Sequence, residues 1–171
     1  MRFLLSLRAA IAVIALPGVV AGYVPFRLLR STGSPLTPKP SASAFLASLL
    51  LLLGALVLLR CIWDFFASGK GTLAPIDPPV HLVVQGLYRF TRNPMYNGVL
   101  IILLAESWLF GSVILLKYAL AVFLVFHLVV VLYEERTLES RFGESYRRYL
   151  RSVPRWGFRV RPFSEGTGST A

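Results

Sequence analysis

The stretch PSASAFLASLLLLLGALVLL, residues 40–59, consists of twenty consecutive uncharged residues. A helix rises 1.5 Å per residue and therefore needs about 20 apolar residues to cross the hydrocarbon of a bilayer. This stretch predicts a membrane-spanning helix that begins near Ser41 or Ser43, either of which can serve as its N-cap, and extends to about Phe66. A chain with such a span is expected to be an integral membrane protein.

Three more apolar stretches predict further spans. The first, residues 9–26, also fits the apolar core of a signal peptide, and we interpret it as a retained span. Residues 95–110 and 113–133 are separated only by Gly111-Ser112, and so short a connection predicts two antiparallel helices joined as a hairpin. The fold class predicted from these patterns is all-α: an integral membrane helical bundle of about four transmembrane helices.

Composition and charge exclude other classes of protein. Of the 171 residues, 56% are apolar and 15% are charged, whereas a typical soluble domain is about 45–50% apolar and about 25% charged. The single cysteine excludes a disulfide scaffold. A nucleic-acid-binding protein with a net charge of +10 would carry its bases on a polar face rather than beside long uncharged stretches, so we expect no nucleic-acid partner.

The basic residues indicate an orientation in the membrane. Eight of the 18 bases are arginines within residues 134–163, and the loop at residues 70–92 adds three more. Because basic residues near span ends stay on the cytoplasmic side, four spans place both termini in the cytoplasm, at a bacterial inner membrane or a membrane of the endoplasmic-reticulum type. We therefore expect a multi-pass protein in contact with membrane lipids, and the pattern indicates no particular oligomeric state.

The segment after the last span is predicted to be an amphipathic cytoplasmic segment. Apolar residues recur there at helical spacing, and arginines occupy the other faces. The apolar positions are Leu138, Phe142, Tyr146, Tyr149, Leu150 and Val153. Gly143 is expected to interrupt the helix, and we predict that the segment lies on anionic lipid headgroups.

The adjacent acids Glu134 and Glu135 directly follow the last apolar stretch. If a helix ends there, its dipole disfavours them, and acids at the edge of a span usually have a partner or a task. Two interpretations stand. The pair forms a salt-bridge cluster with Arg89, Arg92 or Arg136, or it presents a carboxylate to a cytoplasmic pocket that takes a cationic or polyhydroxyl ligand.

Single residues carry smaller predictions. Asn93 and Pro94 suit the N-cap and the first position of the third span. We interpret His127 as hydrogen-bonded to a neighbouring helix rather than as the lining of an acceptor channel. Cys61 is interpreted as a packed thiol.

The order of the motifs along the chain resembles a known family. The motifs are Tyr88-x-x-x-Arg92-Asn93-Pro94-x-Tyr96-x-Gly98, Glu134-Glu135-x-x-Leu138, Phe142-Gly143-x-x-Tyr146-x-x-Tyr149 and Val153-Pro154. Together with the hairpin they resemble the isoprenylcysteine carboxyl methyltransferase family, part of a wider group of membrane methyltransferases that includes phospholipid methyltransferases. The resemblance covers about residues 69–156, and residues 1–68 match only as apolar spans. We therefore divide the chain into two N-terminal spans with a connector (residues 1–68), a methyltransferase-like catalytic region (residues 69–163) and a flexible tail (residues 164–171).

The resemblance implies a function. It implies a multi-span protein that binds S-adenosylmethionine (SAM) on the cytoplasmic side and methylates a lipidic or hydrophobic acceptor that enters from the membrane. We expect a carboxylate acceptor, as in isoprenylcysteine O-methylation. The alternatives are N-methylation of a phospholipid amine and a non-catalytic membrane scaffold that kept the fold. Methyl transfer from a sulfonium needs no metal, and the two histidines and one cysteine lack the spacing of zinc ligands.

The resemblance also implies the site residues. The expected cofactor-binding residues are His81, Tyr88, Arg89, Phe90, Thr91, Asn93, Tyr96, Ile101, Leu104 and Glu134. The expected catalytic residues are Arg92, Glu134 and Glu135. Asn93 stands where the family has a histidine, and because an amide cannot titrate, it cannot serve as an acid–base group.

Overall fold

The computed structural model describes residues 16–38, 40–67 and 84–164, and these residues form helices, turns and loops without a strand. A π-helical turn, Val19–Tyr23, leads into α1, Val24–Ser31. The remaining elements are α2 (Ala42–Ala67), a 3₁₀-helix (Gly86–Arg89), α3 (Pro94–Leu109), α4 (Val113–Val129), a second π-turn (Val130–Glu134) and α5 (Glu135–Ser152). The all-α prediction is confirmed for the described part of the chain. His81, residues 9–15 of the first predicted span and residues 165–171 of the predicted tail lie outside it.

Helix α2 matches the span predicted from the longest uncharged stretch. It has 26 residues, which corresponds to a length of about 39 Å. The hydroxyl of Ser41 accepts a hydrogen bond of 3.1 Å from the backbone N–H of Ala44, so Ser41 is the N-cap. The thiol of Cys61 is buried, as predicted.

Large apolar side chains cover the outer surface of the bundle. On α2 the exposed ones are Phe45, Leu46, Leu49, Leu52, Leu53, Leu56, Leu59 and Trp63, and on α4 they include Leu116, Leu120, Leu124, Val125 and Leu128. A soluble monomer does not expose an apolar surface of this extent. The hydrocarbon of a bilayer is the environment that fits it.

Two helices in the described part of the chain are long and apolar enough to cross a membrane. They are Ala42–Asp64 within α2 and the continuous helix Val113–Ser152, whose apolar part is α4. Helix α3 is apolar but has only 16 residues. The predicted count of four spans and the cytoplasmic placement of both termini therefore stay predictions.

Helices α2 and α3 form the main packed pair, and glycines allow their close approach. A Cβ atom at Gly54 would lie 2.9 Å from Cγ1 of Ile102, and one at Gly98 would lie 3.2 Å from the backbone nitrogen of Leu58. Small residues serve membrane helices in this way because they let two backbones come together. At the other end of α3, Gly111 has a φ of 57° and turns the chain into α4, which confirms the predicted hairpin.

The acidic pair does not lie at a helix end, and this expectation was wrong. Helix α4 continues through the π-turn into α5 without a terminating residue. The helix is broken instead at Gly143, whose φ of 52° and ψ of −125° are not helical. The predicted interruption at Gly143 is thus confirmed, and the unfavourable dipole argued for the acids does not apply.

The apolar stripe of α5 packs against the protein itself, so the expectation that this stripe lies on lipid was wrong. Contact of the arginine-bearing faces with lipid headgroups stays a prediction. Tyr146, Tyr149 and Val153 are buried together. The residues packed around them are Val84, Leu138, Phe142, Leu150 and Phe163. The physical reason is that the chain turns back after α5. Residues 153–164, here called the C-terminal segment, cover the stripe together with residues 84–93, here called the site loop.

Candidate active site

The site is assembled where the C-terminal segment meets the site loop. Backbone N–H groups of Arg92, Arg159 and Phe163 donate to the carbonyl oxygens of Pro154, Phe90 and Arg89 at 3.0, 2.9 and 2.8 Å. In addition, Nε of Arg89 donates to the carbonyl of Phe163, and the Tyr149 hydroxyl donates to the carbonyl of Tyr88, both at 2.8 Å. The site loop therefore has a fixed position although only four of its residues are helical.

Glu135 lies in an ion triad with two arginines. Its Oε1 accepts from Nη1 of Arg92 at 2.6 Å, and Arg155 adds a two-point contact, Nε to Oε1 and Nη2 to Oε2, both at 2.8 Å. The side chains of Arg92 and Glu135 are only 14% and 13% exposed. Burial lowers the pKa of Arg92, and Glu135 opposes that effect by favouring the charged guanidinium. The predicted salt-bridge cluster thus exists, with Arg92 and Arg155 as partners of Glu135.

Glu134 has a different environment from its neighbour. Its Oε1 accepts a hydrogen bond of 2.6 Å from the Tyr96 hydroxyl. The Tyr96 ring stacks on Phe126, with 4.4 Å between ring centroids and 26° between ring planes. Within residues 16–38, 40–67 and 84–164, no cationic side chain forms an ion pair with Glu134. This carboxylate is therefore half-buried beside aromatic rings with a neutral partner.

The second π-turn explains how one tyrosine contacts both Phe126 and Glu134. Phe126 and Glu134 are eight positions apart, and in a regular α-helix their side chains would point in directions that differ by about 80° around the axis. The π-turn Val130–Glu134 lies in this stretch and contains one extra residue, which reduces that angle to about 20°. Both side chains therefore face Tyr96, which helix α3 presents from its first turn.

Tyr88, Phe90 and Thr91 are further residues of the site loop, and of these Tyr88 lies near the charge of Glu134. Burial raises the pKa of Tyr88 well above its ordinary value, and the charges of Glu134 and Asp64 add to the rise, so its hydroxyl stays neutral. Thr91 is fully buried, and its hydroxyl accepts a hydrogen bond of 3.0 Å from the Asn97 amide. Phe90 contributes its backbone carbonyl to the contact with the C-terminal segment.

Asn93 occupies the N-cap position of α3, but its side chain makes no capping hydrogen bond. Its amide instead donates to the carbonyl of Arg155 at 3.1 Å. The predicted side-chain cap was therefore wrong, because the returning C-terminal segment offers the amide a carbonyl partner. Pro94 begins the helix as predicted, and its missing N–H costs nothing there.

Two predicted pocket residues lie away from this cluster. Ile101 packs beside Gly54 on the face of α3 that meets α2. Leu104 is 47% exposed on the outer surface. The structure thus brings together the acidic pair, the site loop and Tyr96, and it does not bring these two side chains to them. Their role in walling an adenosine pocket stays a prediction.

Two residues of the cluster were missed in the sequence, and both follow the Val153-Pro154 motif. Arg155 binds Glu135 as described, and the indole N–H of Trp156 donates to Nδ1 of His127 at 3.1 Å. Phe123 lies beside Trp156, with 5.2 Å between ring centroids. The hydrogen bond predicted for His127 exists, and its partner belongs to the C-terminal segment rather than to a helix. Their only signal in the sequence is that both directly follow the Val153-Pro154 motif.

Comparisons with known proteins identify the family of the chain. The family model described as Phospholipid methyltransferase matches residues 42–145, a range that includes α2, the site loop, the hairpin and the acidic pair. An uncharacterized protein of Haemophilus influenzae is 39% identical over 62 residues, which are 36% of this chain and 98% of that protein. No solved structure matches. Since the family match covers more than half of the chain, the chain belongs to the phospholipid methyltransferase family.

Proposed function

We propose that this membrane methyltransferase takes its methyl group from SAM and transfers it to a lipid that carries an amine. Membership of the family makes the chain a membrane methyltransferase. The donor and the acceptor are our proposal, and one observation carries it: Glu134 has no cationic partner among the described residues, in a chain that has 18 bases and eight acids.

The residues around Glu134 fit the charges of SAM. Its sulfonium and ammonium groups are cationic, and a half-buried carboxylate beside the rings of Tyr96 and Phe126 is a favourable place for a cation. SAM also has a carboxylate. Nε of Arg92 is buried and has no hydrogen-bond partner among the described residues, so it is a donor that fits this anion. When bound, SAM supplies a methyl group already activated for displacement, so the chain has to position the reactants and exclude water.

The pairing of the arginines favours an amine acceptor over a carboxylate. A carboxylate acceptor needs a cation to hold it. Arg155 binds Glu135 at two points, and Arg92 keeps only its Nε, which we have assigned to the carboxylate of SAM. A carboxylate acceptor would also be repelled by Glu134. An amine is attracted to that carboxylate, which is in addition available to accept the proton that the nitrogen loses. Asn93 cannot accept this proton as an acid–base group, and one N–H of its amide is bound to the carbonyl of Arg155.

A carboxylate acceptor of the isoprenylcysteine type is the second candidate. The observation that favours it is the same partnerless Nε of Arg92. If SAM does not use that donor, it remains available for the carboxylate of an acceptor.

Substitution of Glu134 tests the proposed function directly. We expect Glu134→Gln to weaken SAM binding about 30-fold, because losing one partner of a buried charge contact costs about 2 kcal/mol or more. The measurement is calorimetry on the detergent-purified protein. The matched control is Glu139→Gln, which removes an acid that is exposed on α5 and pairs with Arg147. Equal SAM affinity of both variants would contradict the role of Glu134. If the unaltered protein bound no SAM, the proposal that SAM is the methyl donor would be wrong.

The acceptor is tested in lipid nanodiscs with methyl-labelled SAM. We expect label in a phospholipid with a primary-amine headgroup and none in a farnesylcysteine analogue with a free carboxylate. If only the farnesylcysteine analogue were labelled, the amine acceptor would be wrong and the carboxylate acceptor would take its place. Binding of SAM without transfer to either class would favour the non-catalytic scaffold.

A further inference from the structure

We infer that Arg155 is a positioning residue for methyl transfer. It holds Glu135 in place, and in this way it fixes the orientation of the adjacent Glu134. The inference rests on the proposed function in that Glu134 is taken as the group that meets the cofactor. Arg155 lies outside the residues matched by the family model, which end at position 145.

The first argument is the geometry of the contact. Arg155 binds both carboxylate oxygens of Glu135, whereas Arg92 binds only one. A two-point contact between a planar guanidinium and a carboxylate fixes the direction of the carboxylate as well as its distance. Arg155 therefore determines how the Glu135 side chain is turned about the helix axis.

The second argument is the position of Glu135 at the junction between the π-turn and α5. A π-turn is rare because regular α-helical hydrogen bonding competes with it. If this turn relaxed to a regular helix, Glu134 would rotate by about 100° relative to Phe126 and lose the hydroxyl of Tyr96. The two guanidinium groups hold the residue that follows Glu134, and in this way they oppose the rotation.

The third argument is that Arg155 joins the acidic pair to the site loop. Its side chain binds Glu135, and its backbone carbonyl accepts a hydrogen bond from the Asn93 amide. The neighbouring carbonyl of Pro154 accepts from the backbone N–H of Arg92. One short piece of chain thus sets the distance between the first turn of α3 and the acids.

The test compares Arg155→Met and Arg155→Lys with Arg151→Met. Arg151 is a matched control because it is 72% exposed and lies 3.8 Å from Glu144. We expect Arg155→Met to lower kcat/KM for SAM about 10- to 100-fold, the size of effect that a misplaced group produces. Arg155→Lys keeps the charge but loses the two-point contact. Its kcat/KM is therefore expected to lie between that of Arg155→Met and that of the unaltered protein. Arg151→Met is expected to change kcat/KM less than twofold.

A double-mutant cycle separates positioning from a general loss of structure. If Arg155 acts through Glu135, then Arg155→Met has no further effect on kcat/KM in a protein that already carries Glu135→Gln. Additive effects of the two substitutions would overturn the inference. So would an Arg155→Lys variant as active as the unaltered protein.

Amide hydrogen exchange gives a readout that does not depend on the cofactor. In Arg155→Met we expect faster exchange of the backbone N–H of Arg92, which donates to Pro154, while α2 keeps its protection. Unchanged exchange at Arg92 would overturn the inference even if SAM does not bind. The exchange effect in a protein that binds no SAM would confirm that Arg155 holds the site loop in place. Such a result would refute only the proposed function.

Discussion

Glu134 and Glu135 are identical side chains at adjacent positions, yet the structure gives them different chemistry. One carboxylate is neutralised by two guanidinium groups, and the other meets only a phenol and aromatic rings. The difference arises from which neighbouring segment each side chain faces. At the residue scale, the site is therefore defined by the partners of the acids rather than by the acids alone.

Removal of the Tyr96 hydroxyl tests the partner of Glu134. We expect Tyr96→Phe to lower the rate of methyl transfer about tenfold, because a hydrogen bond to a charged group is worth about 1.5–3 kcal/mol and here orients the carboxylate. The ring and its stacking on Phe126 are kept. The measurement is kcat with labelled SAM, and Tyr133→Phe, which alters an exposed ring of the π-turn, is the control. A rate equal to that of the control would show that the hydroxyl does not matter.

At the scale of elements, the α2–α3 pair carries the site because it presents the first turn of α3 at a fixed depth. The contact depends on Gly54, where an added Cβ would collide with α3, and on Gly98, where an added Cβ would lie tightly against α2. Since there is no hydrophobic driving force between helices in lipid, such close packing supplies much of the association.

Substitution of Gly54 tests this helix pair. We expect Gly54→Val to destabilise the protein by about 1–3 kcal/mol through overpacking, seen as a lower unfolding temperature in detergent and faster maleimide labelling of the buried Cys61. Leu53→Val is the control, because Leu53 faces outward on the same helix. If the two variants unfold and react alike, the close contact does not stabilise the pair.

The elements also show what sequence patterns can predict. The bounds of α2 and the break at Gly143 depend on residues close together in the chain, so periodicity and capping indicated both. The cover on Tyr146 and Tyr149 was not predicted, because it comes from segments that are distant in sequence. Arg155 contacts an acid 20 positions earlier and was one of eight arginines in its region. The π-turn has no sequence signal of its own, since tertiary contacts hold it.

At the scale of the whole molecule, the C-terminal segment completes a site whose other parts belong to the bundle. We expect a protein that ends at residue 152 to lose SAM binding. It lacks Pro154, which accepts from the backbone N–H of Arg92, and it lacks Arg155, which binds Glu135 and accepts from the Asn93 amide. A protein that ends at residue 164 is the control and is expected to bind as the full chain does. Calorimetry checks both, and binding by the shorter protein would show that the segment is dispensable.

The return of the C-terminal segment also dictates an order of assembly during biosynthesis. Chains emerge N-terminus first, so residues 153–164 are the last part of the described chain to leave the ribosome. Until then Glu135 lacks Arg155, and the apolar stripe of α5 lacks its cover. If methyl transfer depends on Arg155 as proposed, a bundle whose C-terminal segment has not yet folded back is expected to be inactive.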